Sequence, residues 1–141
     1  MILPSYLVTG GAGFIGSHLA EELLRRGHRV RVVDSLITGK RSNLPPGVEF
    51  LEGDLAELPV CERAVAGIDY VLHQAAIPSV PRSVDDPVAS HRANLDASLN
   101  ILVAARDAGV KRLVYAGSSS VYGDAPALPK HEAMPPKPLS P

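Results

Sequence analysis

A glycine-rich segment close to the N-terminus carries residues whose types and spacing suit phosphate binding. The segment GGAGFIG, residues 10–16, satisfies G-x-x-G-x-x-G from Gly10 and G-x-G-x-x-G from Gly11. Gly10 permits the positive φ of a sharp turn, Gly13 carries no Cβ to block a pyrophosphate, and Gly16 permits close packing of the helix on the sheet. The N–H groups and positive dipole end of that helix would face the phosphates.

An acidic residue, Asp34, ends the next apolar run, eighteen residues beyond Gly16. A strand, a glycine turn, a helix, a second strand and then an acid form the context that a dinucleotide site requires. The Asp34 carboxylate would accept hydrogen bonds from the adenosine ribose hydroxyls and repel a 2′-phosphate, which favours NAD over NADP. Lys40 and Arg41 follow and oppose that preference. The alternative interpretation is a plain tight turn followed by a solvated loop acid.

The other reactive side chains are scattered. No His, Cys and Asp residues cluster at metal-ligand spacing, so we expect no metal site. Cys61 falls in a polar helical stretch without a neighbouring base, which disfavours a nucleophile. His73 ends an apolar run and is expected to be structural, whereas His18 is expected at the surface or as a satisfied core residue.

The composition excludes several classes of protein. The 141 residues suffice for one domain with a core, and 45% hydrophobic residues are typical of a globular chain. A net charge of −1 and 4% aromatic residues disfavour nucleic-acid binding. No apolar run approaches the ~20 residues of a membrane helix, and no signal peptide is evident. A single cysteine fits a reducing, cytoplasmic location.

Apolar periodicity predicts strands that alternate with helices. The predicted strands are 6–9, 30–34, 48–51, 68–73 and 113–116, and the predicted helices are 14–26, 54–66 with Asp54 as its cap, and 88–108. Residues 35–47 are expected to form a loop or irregular helix, and three prolines should keep 77–87 irregular. The fold class is therefore α/β, with a doubly wound parallel sheet of the Rossmann type.

Two regions are expected along the chain. Residues 1–123 form the dinucleotide-binding domain, and residues 124–141 form a proline-rich tail with six of the thirteen prolines and no periodic pattern. The C-terminal residues KPLSP look cut rather than finished, because a doubly wound domain would continue with another helix and strand.

Five ordered motifs resemble the extended short-chain dehydrogenase/reductase family, which comprises NAD-dependent epimerases and dehydratases. The motifs are VTGGAGFIGS at 8–17, GDL at 53–55, HQAA at 73–76, Asn94, and SSSVYG at 118–123. Ala97 stands where many members have glycine. The segments SVPRS at 79–83, Asp86-Pro87 and the tail from Tyr122 resemble the UDP-N-acetylglucosamine and UDP-glucose 4-epimerases of this family.

The resemblance implies both a cofactor site and a substrate site. It assigns the binding of NAD to Gly10, Gly13, Phe14, Ile15, Gly16, Asp34, Asp54, Leu55, Ala75, Ala76 and Asn94. It assigns Ser118 the role of the serine that hydrogen-bonds the reacting hydroxyl, with Ser119 as second candidate. Ser79 and Arg82 are expected near a UDP-sugar, although a plain turn with a solvated arginine explains them equally well.

The implied reaction is reversible transfer of the sugar C4 hydride to NAD, with inversion at C4. In the family, Ser-Pro precedes Tyr-x-x-x-Lys, whose tyrosine is the acid/base, and the 141 residues contain no such pair. We therefore expect the chain alone to be inactive. Tyr122 lies too early to replace that tyrosine and is expected to pack in a turn.

Two alternatives stay open. One is a catalytically silent NAD-binding module or fragment. The other is a sugar-nucleotide 4,6-dehydratase or decarboxylase relative, which is disfavoured because Ser118, Ser119 and Ser120 occupy the slot where dehydratases carry a carboxylate.

The predicted helix 88–108 also carries two apolar stripes. One comprises Val88, Leu95, Leu99 and Leu102, and the other comprises Ala93, Ala97, Ile101, Ala104 and Ala108. Only one stripe can pack on the sheet. Because the family uses this helix in a dimer, we expect a homodimer or altered self-association, or a proline-rich tail lying over the uncovered face. The alternative is that the alanine-rich stripe tolerates water.

Overall fold

The computed structural model describes residues 3–140 and shows a five-stranded parallel sheet. The strands are β1 (Ser5–Thr9), β2 (Arg29–Asp34), β3 (Glu49–Glu52), β4 (Tyr70–His73) and β5 (Arg112–Tyr115). Their order in the sheet is β3-β2-β1-β4-β5, and every neighbouring pair is parallel. The winding therefore reverses at β1, and the predicted doubly wound fold is confirmed.

Helices cover both faces of this sheet. They are α1 (Phe14–Arg25), α2 (Leu58–Val65), α3 (Val80–Asp85), α4 (Pro87–His91) and α5 (Ala97–Asp107), with a π-helical turn at Arg92–Asp96 between the last two. Short 3₁₀ turns form at Arg41–Asn43 and Ser119–Tyr122. No helix within residues 3–140 is long and apolar enough to cross a membrane.

Three predictions about the helices were wrong. α2 begins at Leu58 rather than at Asp54, because Pro59 occupies its first turn, where a missing N–H costs nothing. For the same reason α3 tolerates Pro81 in its first turn and begins at Val80, in a stretch predicted to be irregular. The predicted single helix 88–108 instead changes to i→i+5 bonding at Arg92–Asp96.

The core lies in two layers, one on each face of the sheet. On one face Leu7, Val33 and Val71 pack against buried residues of α2 and α5, which are Cys61, Ala64, Val65, Ala97, Ile101, Ala104 and Ala105. On the other face Val8, Val30 and Val32 pack with Ala20 of α1. Cys61 is fully buried in this core, which corrects its expected position in a polar helical stretch.

The segment after β5 folds back on itself. The Lys137 N–H donates to the Val121 carbonyl at 2.7 Å. Gly123 adopts a φ of +57°, and a Cβ there would collide with the Lys137 carbonyl oxygen. The proline-rich segment is therefore fixed to the Ser119–Tyr122 turn by a backbone contact that needs glycine.

Candidate dinucleotide-binding site

A groove of about 290 Å³ opens at the carboxyl ends of β1, β2 and β4. This edge includes the point where the winding reverses, which is where ligands bind in open α/β sheets. The groove is lined by Gly10, Gly13, Val33, Asp34, Ser35, Ile37, Thr38, Gly39, Gly53, Asp54, Leu55, Gln74, Ala75, Ala76, Ile77, Ala89, Arg92, Ala93 and Ala97.

The glycine turn forms the floor between β1 and α1. Gly10 has a φ of +66°, and a Cβ there would lie 2.8 Å from the backbone N and Cα of Ala75. A Cβ at Gly16 would collide with the Gly10 carbonyl and lie 2.7 Å from Gly11 Cα. The close approach at Gly16 is thus to the turn itself rather than to the sheet.

The first turn of α1 has the features of an anion-binding helix N-terminus. Gly13 is its N-cap with an extended backbone, and a Cβ at Gly13 would meet only the Gly10 carbonyl within 4 Å, at 3.2 Å. The first turn contains no acidic residue. Because the first N–H groups of a helix lack intrahelical partners, they remain available to phosphate oxygens.

Asp34 is buried at the end of β2 and bonded to two loops. Its Oδ2 accepts the Ala12 N–H at 2.9 Å, and its Oδ1 accepts the Leu36 N–H at 2.8 Å. The side chain therefore holds the glycine turn beside the loop after β2, which excludes the alternative of a solvated loop acid. Each carboxylate oxygen can accept more than one hydrogen bond, so the group can also receive ribose hydroxyls.

The cations that follow Asp34 do not enter the groove. Arg41 Nη2 lies 2.5 Å from Glu52 Oε2, and its guanidinium lies 4.7 Å from the centre of the Phe50 ring. Lys40 donates its backbone N–H to the Ala12 carbonyl, and its side chain is not among the groove residues. Arg41 is therefore already engaged on β3.

One wall of the groove is the segment 74–77 after β4. The backbone N–H groups of Gln74 and Ala75 each lie 3.1 Å from Thr9 Oγ1. Asn94 Oδ1 accepts the Ile77 N–H at 2.8 Å, and Asn94 Nδ2 donates to the Ile77 carbonyl at 3.4 Å. Asn94 is not a groove residue, and it acts on the wall through Ile77.

The opposite wall carries Asp54 and Leu55. Asp54 Oδ1 accepts the Ala56 N–H at 2.9 Å, which stabilises a turn rather than capping α2. Arg92 of the π-helical turn bonds Glu57 and lies 3.7 Å from Asp54. This ion cluster joins the π-helical turn to the wall at Asp54.

Several predicted site residues lie outside the groove. Phe14 and Ile15 are exposed on the first turn of α1, and Gly16 is buried beneath the glycine turn. Ser118 and Ser119 are exposed after β5, where Ser118 Oγ accepts the Ser120 N–H at 3.2 Å. The structure does not bring these serines into contact with the groove residues.

A second cavity of about 260 Å³ adjoins the groove. It shares Ile77 and Ala89 with the groove and adds Arg82, Asp85, Asp86 and Ser90. Ser79 is the N-cap of α3, and its Oγ accepts the Arg82 N–H at 3.3 Å. Ser79 therefore has a structural role, whereas Arg82 reaches a cavity beside the groove.

The remaining reactive side chains are accounted for by packing. Burial raises the pKa of Cys61 to about 12, and its thiol donates to the Leu55 carbonyl at 3.2 Å, as expected for an unreactive cysteine. His18 is exposed, 3.5 Å from Glu21. Residues 3–140 include no cluster of three or more His, Cys, Asp or Glu that could hold a metal ion.

Sequence reasoning missed the residues of the loop after β2 and of the π-helical turn. Thr38 and Gly39 enter the groove because Asp34 holds this loop against the glycine turn, and a Cβ at Gly39 would lie 2.9 Å from Asp34 Oδ1. In the sequence, Gly39 is the residue that could have indicated this close approach of the loop to Asp34. No local pattern indicated Arg92.

The chemistry of the groove fits a dinucleotide. Gly13 of the glycine turn leaves room beside the first N–H groups of α1, and the buried Asp34 carboxylate lies at the end of the neighbouring strand β2. A model of the family described as "NAD dependent epimerase/dehydratase family" matches residues 6–141. The chain belongs to the NAD-dependent epimerase/dehydratase family.

Relatives within this family include UDP-glucose and UDP-N-acetylglucosamine 4-epimerases. The Lactobacillus helveticus UDP-glucose 4-epimerase is 39% identical over 96% of this chain and 42% of its own length. The Thermus thermophilus UDP-glucose 4-epimerase complex with NAD has a TM-score of 0.87 at 48% identity, covering 96% of this chain and 45% of its own.

A further solved structure is the UDP-N-acetylglucosamine 4-epimerase of Methanobrevibacter ruminantium M1 in complex with UDP-N-acetylmuramic acid. Its TM-score is 0.91 at 35% identity, covering 99% of this chain and 46% of its own. This chain therefore spans less than half the length of these three epimerase-family relatives.

Proposed function

We propose that this chain is the NAD-binding part of a UDP-sugar 4-epimerase. The observation that carries the proposal is the groove itself, in which the glycine turn and the buried Asp34 are joined by the Ala12–Asp34 hydrogen bond. NAD, when bound, supplies acceptance and return of the C4 hydride. The residues of this chain bind and orient the dinucleotide.

Two ends of the groove would hold two parts of NAD. The first turn of α1 and the glycine turn would hold the pyrophosphate, since Gly13 leaves its approach open. The ribose hydroxyls of the adenosine would donate to Asp34, and Asp54 with Leu55 would flank the adenine. Ala75 and Ala76 would pass along the other side of the dinucleotide.

The same geometry favours NAD over NADP. A 2′-phosphate would lie against the Asp34 carboxylate and repel it. Arg41 would have to leave both Glu52 and the Phe50 ring to neutralise that phosphate. Exposed ion pairs are worth up to about 1 kcal/mol, so this opposes NADP only modestly, and the carboxylate dominates the preference.

The substrate class is proposed from the relatives, whose names specify UDP-glucose and UDP-N-acetylglucosamine 4-epimerases. Ser118 is proposed to hydrogen-bond the reacting hydroxyl, since its Oγ accepts the Ser120 N–H and its own O–H remains a donor. Arg82 is proposed to approach the UDP-sugar from the second cavity. No carboxylate stands at 118–120, which disfavours a 4,6-dehydratase.

A second candidate function is an NAD-binding module without catalysis of its own. It is favoured by the lack of a Tyr-x-x-x-Lys pair in the 141 residues. In this case the groove would bind NAD while the acid/base came from elsewhere. The two candidates share the same cofactor site and differ in turnover.

Calorimetric titration of the purified chain with NAD and with NADP tests the cofactor site. We expect tighter binding of NAD, and we expect Asp34→Asn to reduce the ratio of the two affinities. Asp107→Asn, at an exposed residue paired with Arg106, is the matched control and should leave the ratio unchanged. Equal or tighter binding of NADP by the unsubstituted chain would contradict the role of Asp34.

A further inference from the structure

A buried chain of hydrogen bonds connects β1, β4 and α5 behind the groove wall. Thr9 is fully buried and His73 is 2% exposed, and the two residues are aligned on neighbouring strands. His73 Nδ1 lies 2.7 Å from Thr9 Oγ1, and His73 Nε2 lies 3.1 Å from Ser98 Oγ. Both ring nitrogens therefore have a partner.

The hydrogen-bond partners fix where the protons lie. The Ser98 hydroxyl donates to the Asn94 carbonyl at 2.6 Å, so its oxygen must accept from His73 Nε2–H. His73 Nδ1 is then an acceptor and receives the Thr9 hydroxyl proton. The opposite tautomer would force Thr9 Oγ1 to accept a third hydrogen bond and would deprive the Thr9 hydroxyl proton of its acceptor on His73. It would also make His73 Nε2 and the Asn94 carbonyl compete for the single Ser98 hydroxyl proton.

The end of this chain of bonds lies in the groove wall. Thr9 Oγ1 accepts the N–H groups of Gln74 and Ala75, both at 3.1 Å, and Gln74 shares its N–H with the Thr9 carbonyl at 3.3 Å. Ala75 is the residue that a Cβ on Gly10 would touch. The position of Ala75 therefore determines how close the wall comes to the glycine turn.

We propose that His73, in its neutral Nε2–H tautomer, is a positioning residue that holds the 74–76 wall against the bound dinucleotide through Thr9. This inference rests on the proposed NAD-binding function. Ser98 anchors the other ring nitrogen to the carbonyl of Asn94, whose amide bonds Ile77. The same network thus fixes both ends of the segment 74–77.

A protonated ring is incompatible with this arrangement. His73⁺ would carry N–H groups on both nitrogens, and Thr9 Oγ1 already accepts two N–H groups. The only other aromatic ring near His73 is Tyr115 of β5, among the described residues, at 5.6 Å between ring centres. Burial lowers the pKa of His73 to about 4, which keeps the ring neutral around neutral pH.

Nitrogen NMR of the chain labelled at histidine tests the tautomer without any ligand. We expect one His73 signal typical of a protonated nitrogen, assigned to Nε2, and one typical of an unprotonated nitrogen, assigned to Nδ1. The reverse assignment, or fast exchange between the two tautomers, would overturn the proposal.

Substitutions at Thr9 test the effect on the wall. Thr9→Val removes the hydroxyl at nearly constant shape, so we expect a large shift of the Ala75 amide signal and a rise in the NAD dissociation constant on the order of tenfold. Thr9→Ser restores the hydroxyl and should rescue both. Val71→Ala is the matched control, because Val71 is a fully buried β4 residue outside the groove.

The outcomes separate this inference from the proposed function. If the unsubstituted chain does not bind NAD, the proposed function fails, while the tautomer and the Ala75 signal still report on the network. If the chain binds NAD and Thr9→Val changes neither the Ala75 signal nor the affinity more than Val71→Ala does, the positioning role of His73 is refuted.

Discussion

Acidification should destabilise this fold through one buried side chain, His73. Burial lowers the pKa of this imidazole from 6.5 to about 4, whereas an unfolded chain leaves it at its ordinary value. As the pH falls below 6.5, His73 therefore binds a proton in the unfolded state but not in the folded state. The contribution of neutral His73 is complete above pH 6.5 and is lost progressively as the pH falls toward 4.

The magnitude follows from the width of this window. Each pH unit between the two pKa values changes the free energy of unfolding by about 1.4 kcal/mol, so acidification from pH 6.5 to pH 4 lowers it by about 3 kcal/mol. That loss is a large fraction of the ~5–15 kcal/mol by which domains are normally stable. Carboxylates such as Asp69, whose pKa is lowered mainly by its hydrogen bond with Lys111, add to acid destabilisation at lower pH.

Urea unfolding between pH 7 and pH 4 measures this effect, with unchanged m-values as the check on two-state behaviour. In the His73→Gln variant we expect a lower free energy of unfolding at pH 7 and a shallower dependence on pH. The difference in the free energy of unfolding between the two proteins should shrink by about 3 kcal/mol from pH 7 to pH 4. His18→Gln, at an exposed histidine, should follow the unsubstituted protein. Equal pH slopes for His73→Gln and the unsubstituted protein would refute the reasoning.

Three further predictions follow from the same structure. Gly16→Ala should weaken NAD binding at least tenfold, measured by calorimetry, because its Cβ would collide with the Gly10 carbonyl. Gly117→Ala is the control and should leave the affinity unchanged, because nothing lies within 4 Å of a Cβ at that position. The chain mixed with NAD and UDP-N-acetylglucosamine should form no 4-epimer by NMR, since acid–base catalysis contributes about 10²–10⁴-fold and no Tyr-x-x-x-Lys pair is present; turnover at a rate typical of enzymes would contradict this. Light scattering should show concentration-dependent self-association that Leu99→Lys reduces and Leu128→Lys, in the exposed C-terminal segment, does not; a monomer at all concentrations would defeat this prediction.

The association prediction rests on the stripe that the structure leaves uncovered. Val88 is 77% exposed, Leu95 58%, Leu99 61% and Leu102 49%, whereas Ala97, Ile101 and Ala104 are buried. The expectation that the proline-rich tail covers this face was therefore wrong, and so was the alternative of a water-exposed alanine stripe. Burying a few hundred Å² would be worth several kcal/mol before association costs, at ~25 cal/mol per Å².

The fold could be predicted because its signals are local. Strand–helix alternation, the turn at Gly10 and the acid at the end of β2 depend on short patterns that can be recognised without knowing the tertiary contacts. Pro81 misled the prediction because proline breaks a helix interior but fits its first turn. The π-helical turn was missed because the apolar residues of 88–108 also fit one continuous α-helical period.

The site was only partly predictable because several roles depend on contacts between distant segments. Asn94 was expected to touch the cofactor, but its amide holds Ile77. His73 was expected to be structural, and only the structure shows that its ring joins Thr9 to Ser98. Residues 64 and 25 positions apart cannot be paired from spacing in a single sequence.

A crystal structure of the chain grown with NAD would show directly whether the groove is the dinucleotide site. We expect the pyrophosphate over Gly13 at the first turn of α1 and the adenosine ribose hydroxyls within hydrogen-bond distance of the Asp34 carboxylate. We also expect Ala75 to keep its N–H bond to Thr9 Oγ1. NAD bound elsewhere on the chain, or bound in the groove with its ribose away from Asp34, would refute this assignment.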